Sequence, residues 1–156
     1  MIRPVRPTDR AELLRMRQEF WPDSTASEVD ALIATTSDDR DDADGHVLVA
    51  ERPDGGLCGF AELGSRKFAE GCATSPVGFL EGIWVDPDAR RDEMGTELVC
   101  GAERWARARG FTELASDCEI GNIVSDAFHR SIGFNEAARI VCFHRDLSAE
   151  DNEQPN

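Results

Sequence analysis

Glu81 interrupts an otherwise apolar run, Phe79-Leu80-Glu81-Gly82-Ile83-Trp84-Val85. A carboxylate is costly to bury, so a strand that keeps one in mid-run holds it for a purpose or turns it to solvent across the pleat. The purpose that fits is proton acceptance. Asp117 follows Leu114-Ala115-Ser116, and ligands gather at strand ends in such sheets. Its ordinary use would be a turn or a helix N-cap. His129 lies in a short helical pattern and belongs to the residue type that gives or takes a proton near neutral pH. Its ordinary use would be a helix histidine satisfied by a backbone partner. Two carboxylates and an imidazole suit general acid–base chemistry. Cys118 adjoins Asp117, but no base is paired with it, so a thiolate nucleophile is not indicated.

A second constellation suits an anion. The apolar strand ends at Pro87, and a turn carrying Arg90 and Arg91 leads to Met94-Gly95-Thr96 at the start of a helical pattern. The first N–H groups of a helix have no partner within it, and the helix dipole favours negative charge there. Leu98, Ala102 and Trp105 recur about one turn apart and give that helix an apolar face.

The elements that position these residues follow in order. Ile2 to Arg6 alternates as a strand. A helix follows with Thr8 as the expected N-cap, running through Leu13, Met16 and Phe20 and ending at Trp21-Pro22. A second helix passes through Val29, Leu32 and Ile33, capped by Ser24 or Ser27. The acidic stretch from Asp38 to Gly45 lacks calcium-loop spacing and reads as a solvated connector. His46 to Glu51 and Leu57 to Phe68 form a hairpin about Pro53-Asp54-Gly55-Gly56. Val77 to Val85 is the central strand. Helices are expected from Gly95 to Arg109 and from Asn122 to Ser131, with a strand over 111–117 between them and a last strand over 138–147. The order β-α-α-β-β-β-α-β-α-β makes an α/β (α+β) sheet with helices on both faces. Residues 1–147 form one domain, and 148–156 are expected to be a disordered acidic tail.

The chain has 156 residues, enough for one real core. The net charge of −14 argues against nucleic acid and anionic membranes as partners, and it permits a cationic substrate. No apolar run approaches the roughly 20 residues of a membrane span, and no signal-peptide core is present, so the cytoplasm is expected. The five cysteines are widely spaced, without a C-x-x-C pair or a histidine placed to complete a metal site. They read as buried reduced thiols, and no metal is expected.

The strand, arginine turn and helix start together resemble the cofactor motif of the GNAT acetyltransferase superfamily. Thr74-Ser75-Pro76-Val77-Gly78-Phe79-Leu80-Glu81-Gly82-Ile83-Trp84-Val85, Ala115-Ser116-Asp117, Asn122 and His129-Arg130-Ser131-Ile132-Gly133-Phe134 are similar to the small, chromosomal-type aminoglycoside 6'-N-acetyltransferases. Trp21 with Asp23-Ser24 fits the same subgroup. The resemblance implies a GNAT fold, with a central mixed, mostly antiparallel sheet of six to seven strands. It implies acetyl-CoA as co-substrate, with Ile83, Trp84 and Val85 along the pantetheine arm. Arg90, Arg91, Met94, Gly95 and Thr96 would lie around the pyrophosphate, and Asn122 would contact pantetheine. Glu81, Asp117 and His129 would be catalytic, and Trp21, Phe68, Glu81, Asp117 and Glu136 would bind a cationic aminoglycoside. It implies direct transfer, antibiotic resistance and a homodimer. Glu93 departs from the family turn, standing where its middle glycine is expected. An acetyltransferase of another small amine, such as a polyamine, and a non-catalytic acyl-CoA-binding domain are the rival readings.

Overall fold

The computed structural model describes residues 1–37, 45–90 and 93–148. Among them the chain forms β1 (Ile2–Pro4), α1 (Arg10–Phe20), α2 (Ala26–Ser37), β2 (His46–Glu51), β3 (Leu57–Arg66), β4 (Val77–Val85), α3 (Met94–Ala108), β5 (Leu114–Ser116) and α4 (Ile123–Ser131). One sheet runs β1-β2-β3-β4-β5. The first three pairings are antiparallel and β4–β5 is parallel. The mixed, mostly antiparallel sheet is therefore as expected, with five strands rather than six or seven.

Alternation along β2 places its side chains on both faces. Val47 and Val49 join Leu13, Met16, Val29, Ile33 and Phe60 under α1 and α2. Leu48 and Ala50 join Ala61, Leu63, Leu80, Leu98, Val99 and Ala102 under α3. Each fully buried Leu, Val or Phe contributes about 1.5–3 kcal/mol relative to exposure. The two layers thus fix α1 on one side of β4 and α3 on the other.

Local expectations differ in instructive ways. α1 is entered from a 3-10 turn, Pro7–Asp9, and Asp9 rather than Thr8 closes it. The Asp9 carboxylate accepts from the Arg6 N–H at 2.8 Å and from Arg3 at 2.7 Å. α2 is capped by Thr25, whose hydroxyl accepts from the Glu28 N–H while the Glu28 carboxylate accepts from the Thr25 N–H. This reciprocal pair satisfies two orphan donors. Of the cysteines only Cys58 is buried; Cys72 is half-buried, and Cys100, Cys118 and Cys142 are exposed, all of them free.

The expected last strand does not form. Residues 138–147 have no strand structure, and Ile140, Val141, Phe143 and Leu147 are 57, 74, 93 and 82% exposed. Alternating apolar residues make a strand only where a neighbouring edge receives them. The acidic connector 38–44 and the tail 149–156 lie outside the described residues. Among those described, no helix is long and apolar enough to cross a membrane.

Candidate active site

The geometry is set by β4. On one side it pairs with β3, where Glu62 faces Gly82 but Leu63 faces Leu80. Glu81 is thus the extra residue of a β-bulge. A bulge leaves one residue outside the ladder and re-aims its side chain. On the other side β4 pairs with β5 only over Gly78–Leu80 and Leu114–Ser116. Beyond Leu80 the two strands part. The Gly82–Val85 edge that faces away from β3 therefore looks into an open cleft, beginning at Glu81.

Glu81 is not buried in apolar surroundings, as its neighbours in the sequence suggested. Its carboxylate lies across Gly64 and receives Arg66 from the end of β3, Nη2 to Oε2 at 2.6 Å and Nε to Oε1 at 3.2 Å. Arg66 Nη1 is also 4.0 Å from Asp117 Oδ2. One guanidinium thus draws together the two candidate carboxylates. The Glu81 hydrogen bond raises the Arg66 pKa against the opposing effect of partial burial.

Glu81 also lines a cavity of about 450 Å³ with Arg17, Trp21, Asp23, Ser24, Glu28 and Glu62. Four carboxylates face one guanidinium there, so the cavity favours cations. Trp21 forms a wall, packed on Phe20 at 4.2 Å and Phe60 at 6.1 Å between ring centres. Its ring lies so close over Gly82 that a Cβ at that position would collide with it. Arg17 is buried, paired with Glu62 and stacked over Trp21 at 5.0 Å. Burial is the largest influence on its pKa and draws it down.

Three expected acceptor residues lie outside the lining of this cavity: Asp117, which meets Glu81 only through Arg66, and Phe68 and Glu136. Phe68 is 68% exposed and lies outside its lining. Both Glu136 oxygens are taken, by Arg139 Nε and Arg130 Nη2 at 2.5 Å each, and these bonds hold its pKa near about 2.

His129 points back into the fold. Its Nδ1 is 2.7 Å from the Ser125 carbonyl, so Nδ1 carries a hydrogen. Nε2 meets the Ser116 hydroxyl at 2.9 Å, and that hydroxyl also bonds the Leu80 carbonyl at 3.1 Å. With a neutral ring, Nε2 and the Leu80 carbonyl compete for one hydroxyl proton. When Nε2 also carries a hydrogen, every bond is made. Phe134 packs edge-on at 5.4 Å. Asn122 is the N-cap of α4, accepting from the Ser125 N–H at 3.1 Å. A cap and a ligand contact are compatible in one side chain.

At the turn, Arg90 Nε donates to the Val85 carbonyl at 2.9 Å, and its guanidinium lies 4.9 Å from the Trp84 ring. Arg91 lies outside the described residues. Glu93 is the N-cap of α3 with φ +60°, ψ 7°. It adopts the left-handed conformation that a glycine takes at no steric cost. The backbone shape expected of the missing glycine is therefore kept. The N–H groups of Met94, Gly95 and Thr96 follow in the first turn of α3, where a helix leaves its donors free. Gly95 is packed against Phe128 of α4, leaving no room for a side chain.

Sequence reasoning missed Arg66, Arg17, Glu28, Glu62, Ser116 and Asp86. Asp86 pins the end of β4. It accepts from Arg15 at 3.0 and 3.1 Å, from Arg52 at 3.2 Å and from the Trp84 indole N–H at 3.1 Å. Burial pushes its pKa up, but the Arg15, Trp84 and Arg52 bonds outweigh that and hold it below the usual range. Glu28 alone carried a local signal, three residues after Thr25 in a capping-box pattern.

Residues 11–134 match the acetyltransferase (GNAT) family. The chain is 46% identical over 147 residues to an aminoglycoside N(6')-acetyltransferase type 1 of Klebsiella aerogenes, covering 94% of this chain and 97% of that one. Its fold superposes on a crystal structure of an apo aminoglycoside 6'-N-acetyltransferase, AAC(6')-Ig, from Acinetobacter haemolyticus. The TM-score is 0.83 at 34% identity, over 94% of this chain and 99% of the other. It is likewise similar to AAC(6')-Iy in complex with a bisubstrate analogue joining CoA to monomethyl-acetylneamine, at a TM-score of 0.83 and 27% identity over 94 and 97% of the chains.

Proposed function

Since the chain belongs to the acetyltransferase (GNAT) family, we propose that it transfers the acetyl group of acetyl-CoA to the 6'-amine of aminoglycosides, and so confers resistance to them. The observation that carries the reading is the bulge at Glu81. It aims a carboxylate at an acid-lined cavity, beside the point where the β4–β5 ladder ends and leaves a backbone edge free. One opening suits an extended acyl-carrier arm, and the other suits a polycation.

In this reading the acetyl-CoA pantetheine arm lies along Ile83, Trp84 and Val85, near Asn122. Its pyrophosphate sits at the turn of Arg90, Arg91, Met94, Gly95 and Thr96. The acceptor enters beside Trp21, with Asp23, Glu28 and Glu62 holding ammonium groups. Phe68, Asp117 and Glu136 stand at its outer margin. An alkylammonium with a pKa near ~10 must lose a proton before it can attack. Glu81 or Asp117 takes that proton, directly or through water. The neutral amine attacks the thioester carbonyl, whose developing oxyanion is stabilised by backbone N–H groups of β4. The C–S bond breaks, the acylated nitrogen gives its second proton to water, and the proton network of His129 and Ser116 supplies a proton to the thiolate. The products are the N-acetylated drug and CoA.

The enzyme acts in the cytoplasm, where acetyl-CoA is available. It also pairs as a homodimer, which would cover the exposed apolar side chains of 140–147 and the open edge of β5; sedimentation should give twice the 17.2 kDa chain mass.

The test is thiol release from acetyl-CoA with tobramycin or kanamycin, against spermidine and a blank without acceptor. Saturable turnover with the 6'-amino drugs supports the reading. Turnover with spermidine alone moves the acceptor to another amine, and no turnover or cofactor binding at all removes the enzymatic reading.

A further inference from the structure

We propose that Arg66 is a built-in competitor of the acceptor. Its guanidinium occupies the place of a substrate ammonium group between Glu81 and Asp117, and it is displaced when a cationic acceptor binds. The inference rests on the reading of Glu81 and Asp117 as acceptor-facing carboxylates.

Arg66 is the last residue of β3, opposite Val77. Its fork covers both Glu81 oxygens, at 2.6 and 3.2 Å, and its third nitrogen reaches toward Asp117 at 4.0 Å. The guanidinium carbon lies 3.4 Å from the centre of the Phe79 ring. That stacking holds the fork in the cleft rather than in solvent. An alkylammonium is a donor of the same charge and would use the same oxygens. A carboxylate can carry two cations, as Asp86 does, but at Glu81 the guanidinium stacked on Phe79 sets its charge against an ammonium arriving at the same oxygens, so the acceptor binds Glu81 in competition with Arg66.

The position of Arg66 permits that departure. Its side chain is 40% exposed, and the ladder ends at this residue. Exposed ion pairs are weak, so the competition is modest and reversible. The inner carboxylates do not feel it: Arg66 is absent from the lining that Asp23, Glu28 and Glu62 share with Glu81. A polycation held by those inner groups can therefore displace Arg66, whereas a small monoamine at Glu81 has no second anchor there. The pair thereby biases the enzyme toward acceptors with several charges.

The experiment is calorimetric titration of tobramycin into the full chain saturated with CoA, which binds without turnover. It uses the wild type, Arg66→Gln, Arg66→Met and Arg66→Lys, with thermal unfolding of each followed by circular dichroism. Methionine retains the contact with Phe79 without the charge, and so serves if the glutamine variant fails to fold. The neutral variants should bind tobramycin about fivefold more tightly than the wild type, and the lysine variant should stay within about twofold of it. A folded neutral variant that binds no more tightly overturns the proposal. So does a lysine variant as tight as the neutral ones, because the effect would then lie in the size of the side chain. If the wild type binds and the variants do not bind better, only this inference fails. If none of the four binds the drug, the acceptor reading itself fails, and the inference falls with it.

Discussion

Glu81 and Asp117 share Arg66 but differ in setting. Glu81 sits on the bulge and lines the cavity, whereas the Asp117 side chain is 69% exposed at the mouth. A general base must be within reach of the proton it removes, and its removal costs about 100-fold or more. On this geometry Glu81→Gln should lower kcat by about 100-fold. Asp117→Asn should act mainly on KM, since an exposed carboxylate contributes chiefly attraction. Steady-state thiol release for the two variants checks the split; equal loss of kcat in both would place the base at either residue. Glu136 is bound on both oxygens by arginines, so Glu136→Gln should change KM for the drug by less than about threefold. Reading these roles from sequence was uneven for a physical reason. Glu81 stood out because a carboxylate in an apolar run is unusual. Arg66 did not, because it meets Glu81 only through the β3–β4 register, and an arginine near a strand end looks like ordinary surface.

The start of α3 is where the chain departs from the family turn. Glu93 holds a left-handed backbone at φ +60°, which costs roughly 1 kcal/mol for a residue with a side chain. It also places a carboxylate beside the site assigned to the pyrophosphate. Glu93→Gly should therefore stabilise the fold by about 1 kcal/mol in chemical denaturation and lower KM for acetyl-CoA. An unchanged KM would mean that the side chain already points away from the anion. Helices and strands with a clear period, such as β2, β4 and α3, were legible nearly to the residue. The bulge was not, since register is a property of two strands together. The expected strand over 138–147 had the right alternation, yet among the described residues it has no sheet edge beside it.

Asp86 ties three parts of the molecule together: α1 through Arg15, the β2–β3 turn through Arg52, and the end of β4 through Trp84. It is buried, so Asp86→Asn should destabilise the protein by about 2 kcal/mol at pH 7. Its folded pKa lies below the ordinary 3.8. The unfolded chain therefore takes up this proton first as the pH falls. The contribution is whole at neutrality, begins to fade near pH 4 and is lost as the pH falls through the folded value. The stability gap between wild type and variant, measured by denaturant titration, should close over that range; a gap constant down to pH 3 would mean that the carboxylate charge is not what matters. The core itself was read well, since burying Leu98 under α3 follows from its helical spacing. Leu98→Ala should cost about 2–5 kcal/mol.

The proposed reaction places acetyl on one particular nitrogen. The most direct measurement incubates the protein with acetyl-CoA and tobramycin, then locates the new acetyl group by NMR of the purified product. A single mono-acetylated species modified at the 6'-nitrogen is expected, formed about 100-fold more slowly by the Glu81→Gln variant. Acetyl on another amine, a mixture of positions, or no product would contradict it.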